Sequence, residues 1–259
     1  MSSRQVLLTF DLEEFDVPIE YGSHIGWEEQ IAVGREGMEN LLEVLNLHRI
    51  PTTIFTTAAY ALENQSQLQY LAERHEIASH TFYHSSFKVE DLLLSRTALE
   101  DICGKPVTGL RMPRMRQVEM KDVLAAGYQY DSSINPTLLP GYYNNLHLPR
   151  TIFTEKNVIR LPASVTAYFR IPLFWLSFKN LPYHLFLYLV KHTLRNDGYV
   201  CLYFHPWEFT DITKFKVPWY IKRHSGNELA IRLKRLITDL KKEGSFETIN
   251  NFLRQRNSE

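Results

Sequence analysis

Carboxylates and imidazoles are the side chains of this sequence with the types and spacing for hydrolytic chemistry. The stretch "VLLTFDLEEF", residues 6–15, is an apolar run that ends on Asp11, Glu13 and Glu14. Strand side chains alternate faces, so Val6, Leu8, Phe10 and Leu12 share one face and Leu7, Thr9, Asp11 and Glu13 the other. Such a strand packs one face under helices and delivers Asp11 and Glu13 to its C-terminal end, where α/β architectures build their sites; Glu14 points away. The plainer alternative is a strand that emerges into solvent with hydrated acids. "SHTFYH" sets His80 and His84 at i and i+4. If the chain turns helical after Thr81, both imidazoles converge on one metal ion. A His, His, carboxylate set leaves a coordination position open for water.

Three more stretches carry candidates. "GLRMPRMR", residues 109–116, holds Arg111, Arg114 and Arg116 around a proline. Arg111 could grip a carboxylate in bidentate geometry; the alternative is an exposed basic turn. "YDSSIN" brings Asp131 to a strand end, with turn capping as the plain alternative. "YVCLYFHPWEF" sets His205 after an apolar and aromatic strand, where a lone histidine is ordinarily a satisfied core residue.

Positioning these residues requires a regular frame. β-rich runs ("VLLTF", "TTIFTT", "HEIAS", "VTGLR", "YQYDSS", "VIRLPAS", "YVCLYFH") alternate with amphipathic stretches such as "GMENLLEVLNLH" and "EDLLLSRTALEDICG". Seven such units predict a parallel sheet or barrel. Two helical patterns, "NELAIRLKRLITDLKKEG" and "ETINNFLRQRN", follow at the end. The 259 residues suit one large α/β domain, and no internal repeat or low-complexity tract divides them. Residues 134–157 read as a long functional loop. Lys plus Arg equals Asp plus Glu at 29 each, so no global field favours nucleic acid. Cys103 and Cys201 fit reduced core thiols. The opening "MSSRQVLLTF" has no secretory pattern, which predicts a cytoplasmic protein.

In this order, the pieces resemble the polysaccharide deacetylase family, also called carbohydrate esterase family 4 or the NodB-homology domain. "TFDLEE" is similar to the family's first motif, "SHTFYH" to its His-(Ser/Thr)-x-x-His motif, "RMP" to Arg-x-Pro, "YDSS" to the fourth and "FHPWEF" to the closing histidine motif. "DSS" and "FHPWEF" look nearest to a subgroup linked to exopolysaccharide or lipid-linked saccharide synthesis. The resemblance spans about residues 5–250 and implies a single polysaccharide deacetylase domain over 1–259, a distorted (β/α) barrel of about seven parallel strands.

The resemblance also implies a mechanism: hydrolysis of an N-acetyl group on an amino sugar, helped by a divalent metal, zinc by analogy. Glu13, His80 and His84 would hold the ion and Asp11 would be the base. Arg111 would orient Asp11 and keep it ionised. The backbone N–H of Arg114 would serve the oxyanion, and His205 would protonate the amine with Asp131 fixing its tautomer. Two departures stand out. The usual first motif has adjacent aspartates, but Leu12 follows Asp11 here, which passes the ligand role to Glu13; and Arg114 stands where an aromatic residue is usual. The alternatives are a metal-free saccharide-binding protein on the same fold, or a deformylase or cyclic amide hydrolase of the same superfamily.

The stretch "YFRIPLFWLSFKNLPYHLFLYLVKH", residues 168–192, is rich in large apolar side chains but is broken by Arg170, Lys179 and two prolines, short of a membrane span. From Pro182 it reads as a helix ending near Gly198, apolar on nearly all sides and buried against the barrel. A sharper expectation joins part of it with the 134–157 loop as a groove for a lipid-linked N-acetylated saccharide. Arg114 or Arg116 would then lie near the lipid phosphate, with peripheral contact at the inner face of the membrane.

Overall fold

A computed structural model of the chain describes residues 4–141 and 143–257. All seven expected strand segments form: β1 (Gln5–Leu12), β2 (Thr53–Thr56), β3 (Glu76–Ser79), β4 (Gly109–Leu110), β5 (Tyr130–Asp131), β9 (Val158–Arg160) and β10 (Tyr199–Phe204). Between β5 and β9 lie β6 (Leu138–Leu139), β7 (Tyr143–Asn144) and β8 (Phe153–Glu155), and β11 (Ser245–Phe246) comes last. The path β10-β1-β2-β3-β4-β5-β9 is parallel throughout; β8 adds antiparallel to β9, and β11 pairs with β1. The sheet curls into a half-barrel whose ends are tied by the segment after β9. There the Ser164 N–H donates to Cys201 O at 2.9 Å, and Phe174 bridges to Tyr203.

β1 shows why this sequence curls. Its outward residues Val6, Leu8, Phe10 and Leu12 belong to the large core shared with the surrounding helices. Leu7, on the inward face, packs with Phe55, Ala78, Tyr130, Leu161 and Cys201, and the helix Ile249–Asn257 adds Ile249, Phe252 and Leu253 to the same cluster. Each fully buried side chain of this kind contributes roughly 1.5–3 kcal/mol, so a register slip that exchanged the two faces of β1 is strongly disfavoured.

The expected helices form at Trp27–His48, Glu90–Cys103, Tyr183–Asp197, Asn227–Leu240 and Ile249–Asn257. Gly104 and Gly198 close two of them with left-handed φ of 64° and 77°, as the glycine endings predict. Gly37 brings Trp27–His48 against the turn Pro206–Phe209: a Cβ there would sit 2.0 Å from Pro206 O.

Three expectations need correction. No helix follows Thr81; the chain from His80 to Phe87 is irregular, with Thr81 at φ 63°. The 134–157 stretch is not one loop, since β6 and β7 pair as an antiparallel hairpin and β8 begins at Phe153. The helix after Pro182 buries one face only: Phe186, Val190 and Leu194 pack inward, whereas Tyr188 is 63% exposed. Among the described residues no helix is long and apolar enough to cross a membrane.

Candidate active site

The three acids of the first stretch are buried, each no more than 3% exposed. β1 therefore carries them into the protein rather than into solvent, and Leu12, fully buried on the outer face, takes no part in the site. Glu13 Oε2 lies 3.1 Å from both His80 Nε2 and His84 Nε2. The two rings stack with centroids 5.8 Å apart, although no helix places them. The left-handed Thr81 turn does so instead, with the Thr81 N–H donating to Ser79 Oγ at 3.1 Å.

The other ring nitrogens define what these histidines can bind. His80 Nδ1 meets Arg111 O at 2.7 Å, and a carbonyl only accepts, so Nδ1 carries the proton. His84 Nδ1 likewise donates to Asp16 Oδ1 at 2.8 Å. Both Nε2 lone pairs then face Glu13 Oε2, a buried oxygen with no hydrogen-bond partner. Three mutually facing acceptors demand a cation, and Glu13, His80 and His84 are the group among the described residues able to hold a metal ion. In the metal-free protein a proton meets part of that demand. Burial disfavours the His84 imidazolium, but Glu13 and Asp16 outweigh it and push the pKa up to about 9. Glu13 is held well below the carboxylate range; burial opposes this, and the charge of the neighbouring His84 prevails. The remaining Glu13 oxygen accepts from Trp207 Nε1 at 3.1 Å.

Asp11 is paired with Arg111, whose Nη1 donates to Oδ1 at 2.7 Å and to Thr9 Oγ1 at 2.9 Å. The grip is single rather than bidentate. The rest of the wholly buried guanidinium binds Ser132 O and Oγ, at 3.2 and 2.9 Å, and lies 4.0 Å over the Phe55 ring. Arg111 is thus neither an exposed turn residue nor free to meet substrate. His205 stands across the pocket with Nε2 4.0 Å from Asp11 Oδ2, stacked on Trp207 and edge-on to Trp175.

Asp131 does not reach His205. Its carboxylate accepts from Arg160 Nε at 2.9 Å and from the Ser133 N–H and Oγ, so the turn-capping alternative describes it better. Burial raises its pKa against the pull of Arg160. The His205 ring meets Glu208 instead, Nδ1 to Oε1 at 3.2 Å. Burial lowers the His205 pKa, but Glu208, Glu13 and Asp11 together leave it raised.

Sequence reasoning passed over Glu208, although the i, i+3 spacing in "HPWE" was a usable signal. It also passed over Asp16, for which no local pattern existed. Asp16 joins His84 to Arg114 Nη2 at 2.9 Å, and Arg114 also binds Glu20 Oε1 and His84 O. The Arg114 side chain is therefore engaged within the protein, and Arg114 and Met115 both take left-handed φ of 53° after Pro113. Glu14 stays out of the ligand group, accepting from Thr57 Oγ1 at 2.6 Å and from the His84 N–H.

These groups open into a cavity of about 360 Å³. Apart from Arg114, Glu20 and the centre itself, its walls are apolar or aromatic, including Leu139, Tyr143, Trp175, Tyr203 and Tyr220. Leu139 and Tyr143 come from the β6–β7 hairpin, inside the stretch expected to be functional.

Residues 1–130 match the family model described as "Polysaccharide deacetylase". No curated protein sequence matches the chain. Among solved structures, one given as a polysaccharide deacetylase from Mycobacterium smegmatis is 16% identical with a TM-score of 0.68, covering 100% of this chain and 92% of that one. A second, from Pseudomonas aeruginosa PAO1, is 13% identical with a TM-score of 0.69 and the same coverage of both chains. The PuuE allantoinase is 14% identical with a TM-score of 0.64, covering 98% of this chain and 90% of that one. At these identities the likeness is one of fold.

Proposed function

The chain belongs to the polysaccharide deacetylase family, and from that premise we propose that residues 1–259 form a deacetylase domain that removes the N-acetyl group of an amino sugar by metal-assisted hydrolysis. The observation that carries this reading is the convergence of Glu13 Oε2, His80 Nε2 and His84 Nε2 between Asp11 on one side and His205 on the other. Glu13, His80 and His84 would hold a divalent ion, with zinc suited to two imidazoles and a carboxylate. When bound, such an ion supplies Lewis acidity to an acyl oxygen and to water.

The chain's own groups handle the protons. Asp11, fixed by Arg111, accepts the proton of the attacking water through Oδ2, the oxygen that faces His205. The backbone N–H of Arg114 stabilises the oxyanion, a role that survives the change of side chain. His205, as the imidazolium, then gives its Nε2 proton to the departing amine nitrogen and keeps the Nδ1 proton that faces Glu208. The C–N bond breaks, and acetate and a free amino group result.

The apolar walls support a substrate with an apolar part, such as a lipid-linked amino sugar handled in the cytoplasm at the inner face of the membrane. Arg114 is committed to Asp16 and Glu20. Any lipid phosphate would therefore meet Arg116, whose guanidinium lies 5.8 Å over the Phe87 ring. The test is release of acetate by the zinc-loaded protein from free and from lipid-linked N-acetyl amino sugars, with Asp11→Asn and His205→Ala as controls expected to lose about 10²–10⁴-fold. Failure of the purified protein to bind zinc, with no acetate release from either substrate, would favour the metal-free saccharide-binding protein. Faster turnover of a cyclic amide than of either sugar would overturn the deacetylase reading.

A further inference from the structure

The group that orients His205 is not the aspartate that the motif order implies. Asp131 is occupied by Ser133 and Arg160. The His205 ring and backbone instead converge on one carboxylate oxygen: Glu208 Oε1 accepts the His205 N–H at 2.8 Å and faces Nδ1 at 3.2 Å. A carboxylate can only accept, so the ring proton sits on Nδ1 and the Nε2 edge turns to the cavity beside Asp11.

Glu208 is wholly buried, and an ionised carboxylate there requires a partner. Lys179 supplies it. Its ammonium, also fully buried, lies 3.2 Å from Glu208 Oε2, donates to Ile221 O at 2.7 Å and sits 5.7 Å from the rings of both Trp175 and Trp207. The ion pair, the two indoles and the imidazole form one packed unit, because Trp175 and Trp207 are also the rings against His205. Burying a lysine so deeply is costly unless it neutralises something, and the group it neutralises is the one that holds the imidazole.

We propose that Glu208, held by the buried Lys179, is the positioning residue that keeps a proton on His205 Nδ1, so that Nε2 is the nitrogen that takes up a proton and delivers it to the leaving amine. This rests on the deacetylase reading for the identity of the reaction, but the Lys179–Glu208–His205 relay itself does not. Its signature is dependence on the leaving group. An amine must be protonated as it departs, whereas an aryl oxide departs without that help.

The test compares Glu208→Gln and Lys179→Met with the parent chain, zinc-loaded, on an N-acetyl amino sugar and on an aryl acetate. Long-range ¹H–¹⁵N spectra of the metal-free proteins report the His205 tautomer. Glu208→Gln keeps an acceptor for the His205 backbone but leaves the Lys179 ammonium unpaired, so it is also made together with Lys179→Met, which removes that charge. In either form amide turnover should drop about 100-fold while the ester rate changes less than about threefold, and His205 should lose its single Nδ1–H form. Lys179→Met should move in the same direction if its melting curve remains cooperative. Equal losses on both substrates, or an unchanged His205 tautomer in Glu208→Gln, would overturn the proposal. If the parent hydrolyses neither substrate, the deacetylase reading fails alone, because the tautomer still reports on Glu208.

Discussion

Arg111→Met is the substitution whose consequences can be worked out most fully. Methionine keeps much of the length and packing over Phe55, so little cavity is created. What disappears is the 2.7 Å pair to Asp11 and the contacts to Thr9 and Ser132. Asp11, 3% exposed, then remains as a buried carboxylate without its cation. Breaking a buried pair from one side costs about 3–5 kcal/mol, most of it the penalty on the surviving charge. Adding Asp11→Asn removes that charge, so the double variant should recover about 2 kcal/mol of the loss while remaining as inactive as Asp11→Asn alone. Arg111→Lys keeps the charge but not the fork that binds Ser132, and should fall in between. Urea unfolding in the presence of chelator gives the three stabilities without compensation from a bound ion. A loss below about 1 kcal/mol in Arg111→Met, or strict additivity in the double variant, would refute the idea that Arg111 exists to hold Asp11.

The ligand set predicts that His80→Ala, His84→Ala and Glu13→Gln each lose stoichiometric zinc and activity together, whereas Glu14→Gln keeps its metal; metal analysis after dialysis decides. His75, bonded to Thr52 Oγ1 at 3.1 Å, has its pKa lowered to about 4, chiefly by burial and secondarily by Arg74. The folded state thus resists a proton that the unfolded chain takes up. Stability from this site is complete above pH 6.5 and declines as the pH falls toward 4, by about 3 kcal/mol in all. His75→Gln should flatten that part of an unfolding-against-pH series; an unchanged slope would exclude His75 as its source. Gly37→Ala should cost about 1–3 kcal/mol and reduce turnover as well, because its Cβ meets Pro206 O in the turn that carries His205 and Glu208. Thermal melts and acetate release together report both effects.

Alternation along residues 6–13 was enough to place Asp11 and Glu13 on one face and Leu12 on the other, because a strand's period of two depends on backbone geometry alone. The seven strand segments and the main helices were legible for the same reason: local periodicity and glycine endings are local physics. The motif order carried Asp11, Glu13, His80, His84 and His205 to one cavity, with Arg111 buried behind Asp11. Spacing misled where the chain is irregular. His80 and His84 meet through a left-handed turn at Thr81 rather than a helical i, i+4 step, and sequence pattern does not encode such a turn for threonine. The partners of the site residues were decided only by the tertiary structure. Asp131 meets Arg160, 29 positions away, and Lys179 meets Glu208 across the same separation, while Asp16 joins His84 and Arg114 from 68 and 98 positions off. A buried charge takes whichever opposite charge the packed fold brings within about 3 Å, and that distance is a property of the assembled sheet and its turns rather than of any stretch of sequence.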